Sequence, residues 1–212
     1  MAVYLNEVQA GRSQDLIGFP HLLLCMGVVV QTENYLYGFH FDSPSQTSVT
    51  ARAFRTFMNL RGYRPGDTVA LFGVSNWRER YKLPDPGAAR RAWESEMRGI
   101  ADTLGYEDKL VCGFDTSIVP ANDGHYVEFH PRFQQQQCQI FYKANDSRDF
   151  ISPKGVVKAS DATRFMLGNL VSYKVSDDGV RPMSGYAKLT LGANVAGLSE
   201  LDYARRLVAF IA

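Results

Sequence analysis

Cysteine is scarce in this chain. Among 212 residues there are three, Cys25, Cys112 and Cys138. An odd, widely spaced set is a poor disulfide framework and fits thiols kept reduced. Net charge is nearly absent, with 23 basic against 22 acidic residues and a formal charge of +1. No basic arm or acidic tail stands out, so charge makes no case for nucleic acid or an anionic membrane surface. Long apolar runs are missing too. The longest, Leu22 to Val30, is far too short to span a bilayer. The N-terminal residues lack the basic start and apolar core of a cleaved signal peptide. The expectation is a cytoplasmic protein, or one delivered into a target cell by a route that needs no such signal.

Cofactor and metal motifs are lacking as well. There is no GxGxxG, P-loop, CxxC, HxxxH, HExxH or GxSxG pattern. His21, Cys25 and His40 could gather, but not at a metal-ligand spacing. "PANDGH" (residues 120–125) lacks the remaining ligands of a calcium loop. The reading therefore carries no cofactor, no metal and no nucleic-acid partner.

What remains is an ordinary globular composition, 45% hydrophobic and 21% charged. Leu22–Gln31 and Tyr35–Asp42 read as two strands around "TEN", rich in Val, Leu, Tyr and Phe. A helix follows from about Ser48 to Arg61, ended by Gly62. Thr68–Val74 is a short buried strand. A second helix is capped by Asp85, has Pro86 in its first turn and stops at Gly105. Its apolar stripe is Trp93, Met97, Ile100, Ala101 and Leu104. "KLVCGF", "HYVEFH" and "CQIFYKA" read as three more strands. "WRERY" (Trp77–Tyr81) reads as a strand end on a solvated edge, with a contact surface as the alternative.

Beyond Asn145 the pattern predicts a short helix at Ala162–Leu167, then a hairpin of "NLVSYKV" with "YAKLTL". A last helix, Glu200–Ile211, is capped by Ser199. The fold class expected is α/β: a layered sandwich of helices on a mixed sheet. Residues 1–145 form its core, and 146–212 form a C-terminal extension packed on the same domain.

Chemistry concentrates in the first hairpin. Side chains alternate faces along a strand. With Glu33-Asn34 as the turn, opposing residue numbers sum to 67, so Gly27 faces His40 and Cys25 faces Asp42. Cys25 and His40 then share a face as diagonal neighbours. That face also carries Gly27 and Gly38, which mark close approach of a backbone or ligand. The opposite face, with Tyr35, Tyr37, Phe39 and Phe41, is the packed one. Cys25 is thus a candidate nucleophile and His40 its base. Gly27, Gly38 and Asp42 line the expected approach of substrate. Cys112 with His125 is a weaker second thiol–imidazole pair, near Asp115, Asp123 and Glu128.

The order of elements resembles the CheD-type glutamine deamidases of bacterial chemotaxis and the deamidase domain of cytotoxic necrotizing factor toxins. The likeness rests on "CMGVVV…YGFH", the "VALFGV" strand, the helix ending at Leu104 and "GFDTS…GHYVEF", over about residues 18 to 143. It implies a CheD-like sandwich and a soluble bacterial hydrolase of the protein-glutamine amidase type, acting as effector, toxin or chemotaxis modifier through a Cys25–His40 dyad. Two departures stand out. Leu23-Leu24 replaces the family's Gly-Ser before the cysteine, and Phe19 replaces its threonine. A backbone carbonyl of Phe19 or Pro20 would then be the third member. The alternative is a non-catalytic protein-binding module on the same scaffold. Either way the expected partner is another protein.

Overall fold

The computed structural model describes residues 3–106, 110–118, 124–135 and 137–144, and the strand segments 157–158, 174–175, 187–192 and 207–211. It is mixed α/β and layered, with two mixed sheets rather than one. The chain opens with β1 (Val3–Tyr4), β2 (Ala10–Ser13), β3 (Ile17–Leu22), β4 (Met26–Thr32) and β5 (Leu36–Phe41). Helix α1 (Thr47–Asn59), β6 (Thr68–Ser75), α2 (Trp77–Tyr81) and α3 (Pro86–Leu104) come next. The strands β7 (Leu110–Asp115), β8 (His125–Arg132) and β9 (Gln137–Ala144) follow. The remaining segments are β10 (Val157–Lys158), β11 (Lys174–Val175), β12 (Ala187–Gly192) and β13 (Leu207–Ile211).

Among the described residues, one large sheet runs β13-β7-β6-β4-β5-β2 and a second β1-β3-β8-β9-β12, while β10 and β11 form a separate two-stranded ribbon. The two large sheets enclose a core of Ile17, Phe19, Val29, Leu36, Phe72, Phe114, Phe129 and Ile140. The helices cover the outer face of the first sheet, where Phe54 of α1 and Trp93 of α3 share a core with Met26, Val28, Phe39 and Phe41. The order is helices, sheet, sheet. The sheet bearing β4 and β5 is therefore buried on both faces, which explains its nearly continuous apolar strands.

The β4–β5 register is the one expected, with Gly27 opposite His40 and Val29 opposite Gly38. Thr32 N–H donates to Tyr35 O at 2.9 Å and closes the two-residue turn. Helix α3 also forms as its signals predict. The Asp85 carboxylate accepts from Gly87 N and Ala88 N, and Gly105 takes φ 72° at the C-terminal end. Trp93 lies against β7, where a Cβ at Gly113 would fall 1.8 Å from its Cζ2. Only glycine there lets the indole pack on the sheet.

Several expectations are corrected. The first predicted strand splits: Ile17–Leu22 belongs to one sheet and Met26–Thr32 to the other, with a bend at Leu23-Leu24. "WRERY" is α2, not a strand end. Trp77 and Arg80 are buried there, and Trp77 stacks on Trp93 with ring centroids 5.3 Å apart. Leu207–Ile211 is a strand pairing with β7, not the end of a helix. Its run of Leu, Val, Ala, Phe and Ile suits a strand in a covered sheet, and the pairing overrides the helical spacing. The expected C-terminal hairpin does not form either. Lys174–Val175 pairs with Val157–Lys158, while Ala187–Gly192 pairs with β9. The expected helix at residues 162–167 lies outside the described residues.

Candidate functional site

Cys25 sits at the bend just before β4, and His40 is the fifth residue of β5. Strand alternation places Cys25 with Val29 and Leu36 in the core between the sheets. The shared face is as expected, but it is not open. Cys25 is 3% exposed and His40 1%. A Cβ at Gly27 would lie 2.8 Å from Phe19 Cδ2, and one at Gly38 2.7 Å from Ile17 Cγ2. The two glycines accommodate side chains of the opposite sheet. Gly27 and Gly38 are therefore not a free approach for substrate in this state, because Phe19 and Ile17 fill the space. Asp42 follows β5 and is exposed at the rim.

The imidazole is held by a backbone carbonyl. His40 Nδ1 lies 2.9 Å from Leu5 O. A carbonyl only accepts, so Nδ1 carries the proton and Nε2 keeps its lone pair. That lone pair is buried, and no hydrogen-bond partner faces it among the described residues. The predicted third member is thus corrected: the carbonyl that orients His40 is Leu5's, not that of Phe19 or Pro20. Phe19 instead presents its ring edge-on to His40, with centroids 5.7 Å apart.

Thiol and imidazole do not hydrogen-bond to each other. Cys25 Sγ donates to Glu7 Oε1 at 3.4 Å. Burial pushes the Cys25 thiol up to about 12, Glu7 adds to this by charge and hydrogen bond, Asp42 adds more, and Arg80 opposes them. Burial brings His40 down to about 4, against the pull of the Leu5 hydrogen bond, with His21 and Arg80 adding to the fall. The pair rests as neutral thiol and neutral imidazole.

The turn between β1 and β2 makes this arrangement. Val8 N donates to His40 O at 3.0 Å, His40 N donates to Gln9 O at 2.9 Å, and Gln9 N donates to Asn6 O at 3.1 Å. Gln9 Oε1 accepts from Asn6 N at 2.8 Å. Val8 takes φ 60°. A β-branched residue in the left-handed region costs about 1–3 kcal/mol and persists only where its surroundings hold it. An unpaired buried imidazole nitrogen costs roughly another 1–3 kcal/mol. Both costs fall on one small region that also holds a thiol.

Arg80 ties the strand ends together. Its Nη1 donates to Leu24 O at 2.8 Å and to Asp42 O at 2.5 Å. Its Nε and Nη2 donate to the Glu96 carboxylate at 2.9 and 2.6 Å. Tyr81 and Thr47 hydroxyls also donate to Glu96. Burial alone would raise the Glu96 carboxyl, but these donors, Arg80 foremost, hold it below the usual carboxylate range. A cleft of about 490 Å³ lies beside this network, lined by Ser45, Thr47, Ser48, Tyr81 and Glu96, and neither Cys25 nor His40 lines it.

Of the second thiol–imidazole pair, Cys112 is on β7 in one sheet and His125 on β8 in the other, both buried, and burial pushes the Cys112 thiol up to about 12. Among the described residues no cluster of three or more His, Cys, Asp or Glu is placed to hold a metal ion. Among them, too, no helix is long and apolar enough to cross a membrane. No motif or periodicity in the sequence marks Leu5, Glu7, Val8 or Arg80 as neighbours of Cys25 and His40. Strands of two and four residues carry too little periodicity to announce the turn that brings the first three.

Compared with known proteins, the chain matches no protein-family model and no curated protein.

His40 sets an acid limit on stability. Unfolded, it binds a proton near 6.5; folded, only near about 4. Between those values the unfolded state holds more protons, so stability is full above pH 6.5, falls as pH drops and levels off below about 4. The interval corresponds to about 3 kcal/mol. Urea unfolding at pH 7.5 and pH 4.5 should show this loss in the wild type and a smaller one in His40→Gln. An imidazole NMR titration of His40 with its midpoint near 6.5 would contradict the prediction.

Proposed function

We propose that this protein is a thiol-dependent amide hydrolase acting on a glutamine side chain of another protein, with Cys25 as nucleophile and His40 as base and acid. The observation that carries the reading is His40 itself. Its Nδ1–H is fixed on a backbone carbonyl, and its Nε2 lone pair is buried with no partner among the described residues. That lone pair is therefore available to take a proton, which is what a general base needs. The resemblance to the CheD-type and necrotizing-factor deamidases supports the same assignment.

In the working state Nε2 takes the Cys25 proton and the thiolate attacks the carboxamide carbon. Backbone N–H groups near Cys25 are the simplest donors to the resulting oxyanion. The imidazolium then protonates the departing nitrogen, releasing ammonia and leaving a thioester. Water, deprotonated by Nε2, cleaves the thioester to the carboxylic acid and restores the thiol. The sum is amide plus water giving acid plus ammonia. No external cofactor is consumed.

The second reading is a non-catalytic protein-binding module. Phe19 favours it, because its ring occupies the Gly27 approach. The high thiol pKa favours it as well.

Mass spectrometry of a cell extract incubated with wild type, Glu7→Gln, Cys25→Ala and His40→Ala separates the two. The hydrolase reading expects amide-to-acid conversion at defined glutamines with wild type or Glu7→Gln, and none with Cys25→Ala or His40→Ala. Conversion that survives Cys25→Ala sinks the assignment. So does the absence of conversion with every variant, which leaves the binding module.

A further inference from the structure

We propose that the Leu5–Gln9 turn is an inhibitory latch on the Cys25–His40 site, with the Glu7 carboxylate as its brake on the thiol. The inference rests on the hydrolase reading and assigns its regulation.

Three observations carry it. The turn touches each part of the site: Glu7 accepts from the thiol, Leu5 O from the imidazole, and Val8 and Gln9 pair with the His40 backbone. A negative charge beside a cysteine opposes formation of thiolate, the reverse of what a nucleophile needs. The turn is also strained at Val8, φ 60°, so its closed form is held by those contacts rather than by local preference. Finally, it joins two edge strands. Among the described residues β1 ends one sheet and has two residues, with β11 packed against it; β2 ends the other and has four. The tip itself, Asn6 to Gln9, is exposed or half-buried, and such segments open at less cost than packed strands.

Lifting the turn's tip removes the Glu7 carboxylate from the Cys25 thiol and uncovers the sulfur on that side, while Phe19 still fills the Gly27 side. Asp42 after β5 and Arg80 on α2 then remain around the thiol, and His21 on β3 and Arg80 around the imidazole. Among these, Arg80 is the group that favours thiolate. A protein substrate docking at this end of the sandwich is the agent of opening, which confines thiol chemistry to the bound state.

The test is the rate of iodoacetamide alkylation of each cysteine in the native full-length chain, followed by peptide mass spectrometry from pH 6 to 9. Cys112 and Cys138, both buried, are internal controls. Glu7→Gln should speed Cys25 labelling about tenfold at pH 8, as for a thiol pKa lowered by one pH unit. Gln9→Ala removes the Asn6 N–H contact and touches no sulfur, and should speed Cys25 roughly threefold at every pH, as expected for loss of one hydrogen bond. Both variants should leave Cys112 and Cys138 unchanged. Unchanged Cys25 rates overturn the latch. Acceleration by Glu7→Gln alone also overturns it, reducing Glu7 to a local charge. Equal acceleration of all three thiols overturns it as general loosening. Latch behaviour without amide conversion by any variant sinks the hydrolase reading and leaves the latch. Conversion by Glu7→Gln no faster than by wild type at limiting substrate, where opening is not saturated, sinks the latch alone.

Discussion

Glu96→Ala is expected to lower the unfolding free energy by about 3–5 kcal/mol, the range for breaking one half of a buried ion pair. The Arg80 side chain is 0% exposed and that of Glu96 7%, so water cannot take over the missing contacts. The substitution strands a guanidinium and unpairs the Tyr81 and Thr47 hydroxyls as well. An exposed pair, such as Lys82 with Glu79, lies in the range of 0–1 kcal/mol instead. The local consequence matters more for the site. Arg80 holds Leu24 O and Asp42 O, the carbonyls next to Cys25 and at the end of β5. Losing its anchor on Glu96 frees both strand ends. Urea unfolding supplies the free energy, and a loss under 1 kcal/mol would show that the pair is solvated in solution.

Phe19→Ala is expected to cost about 3–5 kcal/mol, the usual range for a large aromatic cut from a core. Phe19 is fully buried and packs on Phe129, His40 and the Gly27 backbone. Gly27→Ala should cost roughly 1–3 kcal/mol alone, because its methyl group meets the Phe19 ring at 2.8 Å. The double variant should cost clearly less than the sum, since that methyl group then enters the space the ring has left. Opening this space also admits water to His40. Its titration should move up from about 4 toward 6.5 as burial is relieved. Additive costs, or an unmoved His40 titration, would mean that Phe19 is not what closes this face.

Some of this was written in local sequence. The β4–β5 hairpin needs only a two-residue turn and period-two alternation, so its register and the shared face of Cys25 and His40 were legible. Helix α3 needs only Asp85, Pro86, Gly105 and an apolar stripe, all within one segment. The class, helices layered on mixed sheet, follows from such elements. Other features depend on residues far apart in the chain. Alternation says which residues share a face, not what covers it. The glycines at 27 and 38 read as an opening until Phe19 and Ile17 arrive from the other sheet. "WRERY" reads as a polar edge until Glu96, sixteen residues beyond Arg80, neutralises that arginine in the interior. Leu207–Ile211 has helical spacing, but β7 offers it a free edge. Which groups Cys25 and His40 hydrogen-bond to was likewise decided in three dimensions. A turn near the N-terminus, without periodicity of its own, brings Leu5 to the imidazole and Glu7 to the thiol. Burial then moves one pKa up and the other down, and burial is a property of the packed sheets rather than of any stretch of residues.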